Sequence, residues 1–382
     1  MNEIRPFVFG VKAEGETFTD RKEESENLRQ NFIHGINTII ISPRRIGKTS
    51  LVDKVAELMD SDQIRVARMD AFACRSERDF ANAFAAAVIK ATSSKLEEWI
   101  ANAKAFLSHF VPKISLGPDP WNEFSISIDY KDYTQGFEEV LDLPEKIAAQ
   151  GGYKIVVCID EFQQIGEMND SLTLQKKLRT IWQHQKHVSY CLYGSKKHMM
   201  EKIFQKPSCP FYKFGDMIYL KKIKKEDWIL FICERFEKTG KTISETLAGR
   251  ICDLTECYSS YVQQLAWFVW LKSDTEAKAE DLEISVERLL DANESLYIQM
   301  TESLSEYQMN FLRALTDGVK DGFSTQKILQ KYRLGTSANI NRLKQSLKEK
   351  DLIDNPEPKY IEISDPILKL WLQKRVFITF GC

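Results

Sequence analysis

From residue 36 to about 220, short apolar runs rich in β-branched side chains alternate with longer stretches whose apolar positions recur every three or four residues. That alternation is the pattern of a parallel sheet with crossover helices. The runs Thr38 to Ile41, Ile64 to Met69, Ile155 to Ile159, Ser189 to Tyr193 and Met217 to Leu220 predict five central strands. Between the first two, Thr49 to Met59 sets Leu51, Val52, Val55, Leu58 and Met59 on one face at helical spacing, which predicts a helix packed on the sheet. Ala81 to Ala91 and Leu172 to His184 predict further helices. The segment Val111 to Tyr130 breaks the pattern. Its Pro and Gly residues and the alternation from Phe124 to Ile128 predict a loop carrying a short hairpin or an edge strand.

After Lys221 the strand signals stop, and amphipathic helices are expected around 225–238, 244–255, 260–272 and 282–300. From Ser303 the pattern changes again: two short helices, a third from Thr336 to Lys350, a Pro-containing turn at Asn355 to Pro358 and an extended stretch from Tyr360 to Ile363. Three helices followed by a β-hairpin describe a winged helix. The expected organisation is an α/β core over 1–220, a helical domain over 221–302 and a winged-helix domain over 303–382.

Composition changes this picture little. A chain of 382 residues exceeds one ordinary hydrophobic core, and 43% hydrophobic with 28% charged residues suits globular folding throughout. The 53 basic and 55 acidic side chains nearly cancel, so any nucleic-acid surface must be a local patch. The first residues mix charges and lack the apolar run of a secretory signal, and no segment approaches the roughly 18 uninterrupted apolar residues of a membrane span. A soluble cytoplasmic protein without a membrane partner is expected. The eight cysteines, at 74, 158, 191, 209, 233, 252, 257 and 382, form no close Cys-x-x-Cys pair, so core packing is expected of them and not metal binding.

The chemistry concentrates in Ile39-Ile40-Ile41-Ser42-Pro43-Arg44-Arg45-Ile46-Gly47-Lys48-Thr49-Ser50-Leu51, which follows a strand and opens a helix. A phosphate-binding loop requires that context, because its successive backbone N–H groups and the positive end of the helix dipole face the anion. Ser42 to Ser50 are therefore expected to cradle ATP, with Gly47 permitting close backbone approach, Lys48 reaching the β- and γ-phosphates and the Thr49 hydroxyl ligating Mg²⁺. Ser42 replaces the first glycine of Gly-x-x-x-x-Gly-Lys-Ser/Thr and is expected to adopt an unusual backbone conformation at some cost.

A second apolar strand, Lys154 to Ile159, ends in Asp160 and Glu161. Asp160 is expected to hold Mg²⁺ through its water shell and Glu161 to polarise the attacking water. After a third strand comes Gly194-Ser195. Ser195 either contacts the γ-phosphate or the water, or simply ends its strand as a turn residue.

With these residues the chain resembles the archaeal-type ATPase family, a branch of the AAA+-like P-loop NTPases. The resemblance covers nearly the whole chain: Phe18 to Glu24 ahead of the first strand, the loop from Ser42 to Leu51, Cys158 to Gln163, Tyr193 to Ser195, Tyr261 to Leu265 and Ile363 to Leu372. It implies an ATPase core, a helical lid closing around Tyr258 to Gln264 and a C-terminal winged helix. It also implies that Phe18 to Arg21 pass near the adenine. In AAA+ proteins a positive group for a neighbour's site is often supplied from the region of Lys213, but a solvated lysine is the reading the residues favour there; the chain leaves a homo-oligomer open.

Between Leu304 and Val376 stand 13 Lys and Arg against nine Asp and Glu, an excess of four in a chain of net charge −2. Arg342, Lys344 and Lys348 on the third helix and Lys359 in the wing suit either DNA phosphates and base edges or an acidic protein. The functional expectation is an Mg²⁺-dependent ATPase acting as a nucleotide-driven switch. A nucleotide-stabilised DNA-binding scaffold with little turnover is the alternative, and a small-acceptor kinase is disfavoured by the large helical additions.

Overall fold

A computed structural model describes residues 5–93, 110–116, 124–130, 133–357 and 359–377. The chain divides into two compact units, one spanning Arg21–Lys221 and the other made of Met1–Asp20 with Lys222–Cys382.

In the first unit the five expected strands form β1 (Thr38–Ile41), β2 (Ile64–Asp70), β5 (Lys154–Asp160), β6 (Val188–Gly194) and β7 (Asp216–Tyr219), in the sheet order β2-β5-β6-β1-β7. Every pairing is parallel, with Thr38 opposite Cys191 and Asp216, and Asp70 opposite Asp160. Both faces are covered, so β1 and β6 are buried at every position. Helices α1 (Lys22–His34), α2 (Lys48–Met59), α3 (Glu77–Thr92), α4 (Tyr133–Gly151), α5 (Ser171–Trp182) and α6 (Lys197–Phe204) belong to the same unit. On α2, Leu51, Val52, Val55 and Ala56 are buried as the spacing predicts, but Leu58 is 70% exposed, at the margin of that face in the last turn.

The hairpin expected near residue 111 is present as β3 (Phe110–Leu116) and β4 (Phe124–Tyr130), an antiparallel pair forming a sheet of its own and adding no edge to the parallel sheet. Aromatic packing closes one side of the core. Trp182 stacks on Tyr190 with ring centroids 4.0 Å apart, and Phe162 meets Phe211 edge-on at 5.5 Å. Cys158 and Cys191 face each other across β5 and β6 as free, buried thiols.

The second unit holds α7 (Lys225–Glu237), α8 (Glu245–Leu254), α9 (Ser259–Lys272) and α10 (Ala279–Glu302), then α11 (Glu306–Thr316), α12 (Gln326–Lys331), α13 (Ser337–Glu349), the antiparallel pair β8 (Ile353–Glu357) and β9 (Tyr360–Ile363), and α14 (Pro366–Trp371). The N-terminal residues, grouped with the core by their place in the sequence, pack here. Phe7 is 1% exposed against Phe231 and Phe236, and the buried Arg235 donates to the Pro6 carbonyl at 3.0 Å and to Glu16 at 2.7 Å. The Gln263 side chain accepts the Val8 N–H at 3.0 Å and donates to the Thr17 carbonyl at 2.9 Å.

A polar joint ties α9 and α10 to α14. Asp365 caps α14 by accepting the Ile367 and Leu368 N–H groups, and it also accepts the Tyr261 hydroxyl at 2.5 Å. The Tyr297 hydroxyl lies 3.3 Å from that of Tyr261. Beside them Lys369 pairs with Glu256 at 2.7 Å. Among the described residues no helix is long and apolar enough to cross a membrane.

Candidate active site

The site is built at the carboxyl ends of the parallel strands, where an open α/β sheet leaves a crevice between its covering helices. β1 runs into the loop 42–47, and α2 begins at Lys48. Gly47, with φ 89°, is the N-cap of α2, and no side chain caps it; its carbonyl accepts the Leu51 N–H at 3.0 Å. An uncapped helix start beneath a glycine turn offers its first backbone N–H groups to an anion. Positive φ also occurs at Arg45 (66°). Ser42 is not among the positive-φ residues, so the strain expected of it is absent. It is instead a buried residue whose hydroxyl donates to the Pro43 carbonyl at 3.1 Å. Ile46 is buried, Pro43, Thr49 and Ser50 are half-buried, and Arg44 and Arg45 are exposed.

Lys48 and Thr49 converge on the end of β5. The Lys48 Nζ, 7% exposed, is 3.7 Å from Asp160 Oδ1 and 5.9 Å from the centroid of the Tyr193 ring. The Thr49 hydroxyl donates to Asp160 Oδ2 at 2.7 Å. Burial pushes the Asp160 carboxyl above its ordinary value; the Lys48 charge, the Thr49 hydroxyl and the Glu161 N–H, which donates at 2.8 Å, pull it back.

Glu161 leaves the strand in the left-handed region, φ 50°, and so turns away from the line of β5. Its Oε2 accepts the Ser195 hydroxyl at 2.9 Å and the Gln163 amide. The structure thus brings Ser195 to Glu161, a contact that neither sequence alternative foresaw. Gln163 carries no sequence signal of a role beyond its place two residues after Glu161, yet it is 2% exposed and packs where a Cβ on Gly194 would meet its Oε1 at 1.8 Å. That close approach is why β6 ends in glycine.

Arg21, expected near the adenine, lies under the loop. Its guanidinium donates to the Ile46 carbonyl at 2.9 Å and to Glu24 at 2.9 Å. Lys213 is an exposed residue with φ 53° beside the Tyr212 ring.

The residues fit the group that such a loop implies. A half-buried hydroxyl and a half-buried carboxylate held 2.7 Å apart, with a buried ammonium at 3.7 Å, form the small oxygen donor set that Mg²⁺ takes together with phosphate oxygens and water.

Known proteins agree with this architecture. Residues 18–264 match the model of an ATPase domain predominantly from Archaea, and residues 295–374 match a probable winged helix domain. No curated protein sequence matches the chain. Among solved structures, a Walker-type ATPase of Pyrococcus abyssi is similar over 96% of this chain and 99% of its own, with a TM-score of 0.69 at 16% identity. The ORC2 protein of Aeropyrum pernix, solved in ADPNP–ADP complexes, is similar over 97% of both chains, with a TM-score of 0.59 at 12% identity. The ORC1 protein of the same organism, solved in complex with DNA, covers 95% of this chain and 94% of its own, with a TM-score of 0.50 at 10% identity. At such identities the likeness establishes a shared fold, while the family match spans well over half of the chain. With its uncapped phosphate-type loop facing Asp160 and Glu161, the chain belongs to the family of ATPase domains found predominantly in Archaea and carries a winged helix domain behind it.

Proposed function

We propose that this chain is an Mg²⁺-dependent ATPase whose nucleotide state acts as a switch for the winged helix. The observation that carries the reading is the convergence of Lys48 and Thr49 on Asp160, with Glu161 held beside them. The backbone of residues 42–47 and the start of α2 bind the β-phosphate, Lys48 offsets charge on the terminal phosphates, and Thr49 with Asp160 hold Mg²⁺. When bound, the metal neutralises charge developing on the β- and γ-oxygens. Glu161 orients a water for in-line attack on the γ-phosphate and accepts its proton. Ser195 and Gln163 keep that carboxylate on a fixed line by donating to one of its oxygens, so that less freedom is lost when the water is bound.

The test is phosphate release by the wild type, with Mg²⁺ and after EDTA, set against Lys48→Ala and Glu161→Gln. A wild-type rate no faster than that of the variants, with ADP still bound, would favour a nucleotide-stabilised scaffold and overturn the switch.

For the winged helix the proposed partner is DNA, in a cytoplasmic setting. Arg342 and Lys359 are exposed, and Lys344 and Lys348 are half-buried, with the Lys344 ammonium 5.4 Å from the Phe323 ring. The DNA complex of the ORC1 protein, which shares the fold, supports the choice. Neutralising Arg342, Lys344 and Lys348 together is expected to flatten the slope of log affinity against log salt by about 2 to 3. An unchanged slope would point to a protein partner.

A further inference from the structure

We propose that Arg21 is a positioning residue of the phosphate loop, acting through the peptide between Ile46 and Gly47. The inference rests on the nucleotide reading of the loop given above. Its starting point is the site chosen by a charged side chain that is only 3% exposed. One terminal nitrogen of Arg21 donates to the carbonyl oxygen of Ile46, 25 residues away, and the other pairs with Glu24 in the first turn of α1. Arg21 reaches this place because it and Asp20 both adopt left-handed backbone, φ 66° and 55°, a conformation unfavourable for residues with a Cβ. Two successive residues held in that region imply that the surrounding contacts over-determine the turn.

The consequence follows from peptide planarity. No peptide bond among the described residues is cis, and in a trans peptide the C=O and the following N–H point in opposite directions. Drawing the Ile46 carbonyl toward the guanidinium therefore turns the Gly47 N–H away from Arg21. The Gly47 carbonyl is already committed to the Leu51 N–H. Both ends of Gly47 are thereby set, and its φ of 89° is what this pair of constraints demands. The Gly47 N–H is the last loop donor before α2, so its direction decides whether the loop presents a converging set of N–H groups to a β-phosphate. Without the guanidinium, the Ile46–Gly47 peptide is free to rotate and the donor set loses its pre-organisation.

This role differs from contact with the adenine, and the two are separable with a ligand that has no adenine. In the full-length chain, affinities for ADP and for inorganic tripolyphosphate are measured by displacement of a fluorescent ADP, alongside thermal melting without nucleotide. Arg21→Gln is expected to weaken both ligands by the same factor, about tenfold or more, as for a lost hydrogen bond to a charged group. Arg21→Lys is expected to recover a measurable part of the loss, since an ammonium still donates to the Ile46 carbonyl. If Arg21→Gln fails to fold, the Arg21→Lys ratio carries the test: equal, smaller losses for both ligands support the proposal. Loss for ADP with tripolyphosphate unchanged would place Arg21 on the nucleoside and overturn it. Equal losses with no recovery in the lysine variant, tracking a lowered melting temperature, would reduce Arg21 to a structural residue and overturn it as well. A wild type that binds neither ligand would remove the nucleotide reading itself.

Discussion

The molecule contains two buried polar clusters that look alike in composition and differ in what they leave unused. At the end of β5, Asp160 is met by Lys48 and Thr49, while the start of α2 beside it has no side-chain cap. In the second unit Asp365 accepts two backbone N–H groups and the Tyr261 hydroxyl, with Tyr297 at its margin. The first cluster sits beside a helix start that no side chain caps, whereas the second spends its aspartate on capping a helix. Surplus oriented donors mark a ligand site; a carboxylate consumed by a cap and a tyrosine marks a joint.

The largest effects should fall on the first cluster. Lys48→Ala and Glu161→Gln are each expected to lower phosphate release by about 100-fold or more, as loss of a transition-state contact does. Lys48→Ala should also weaken ADP, whereas Glu161→Gln should leave ADP binding within about threefold of wild type, since Glu161 acts on the water. Steady-state release and ADP titration decide both. Next comes the joint. Asp365→Ala removes a helix cap and the acceptor of Tyr261, and is expected to cost about 2–4 kcal/mol in urea unfolding with little change in ADP affinity. A matching fall in ADP affinity would dissolve the contrast.

Acidity sharpens the comparison, because burial raises both Asp160 and Glu362, the second facing Lys222, Glu256, Asp354 and Lys320. On the proposed reading Asp160 holds Mg²⁺ as the carboxylate, so Mg²⁺–ADP affinity is expected to start to fall at a pH above the ordinary aspartate range as the solution is acidified. For Glu362 the sign is reversed. A carboxyl with a raised folded pKa binds more protons in the folded state, so its destabilising share is present at neutral pH and relieved as pH falls through the folded value. Glu362→Gln is accordingly expected to raise the unfolding free energy in urea slightly at pH 7, by less than about 1 kcal/mol, with the gain shrinking as the solution is acidified. A gain that grew on acidification would contradict this sign.

The amino-acid sequence by itself determined the five strands, the phosphate-type loop, the acid pair at the end of β5 and the helix–hairpin order of the winged helix. Each is written in a local period or a contiguous motif: β-branched runs bounded by turns, a glycine before Lys48 and Thr49, two acids closing an apolar strand. Only the tertiary structure decided that Phe7 to Thr17 pack with α7 and α9, that Ser195 and Gln163 both serve Glu161, that Arg21 grips Ile46, and that Tyr261 meets Asp365 from 104 residues away. It also placed the loop's left-handed backbone at Arg45 and Gly47 and not at Ser42. The physical reason is common to all of these. A hydrogen bond or a ring contact between distant residues imposes no period on its neighbours, so single residues such as Gln163 or Asp365 acquire their roles only once the sheet order and helix packing have set their partners within about 3 Å.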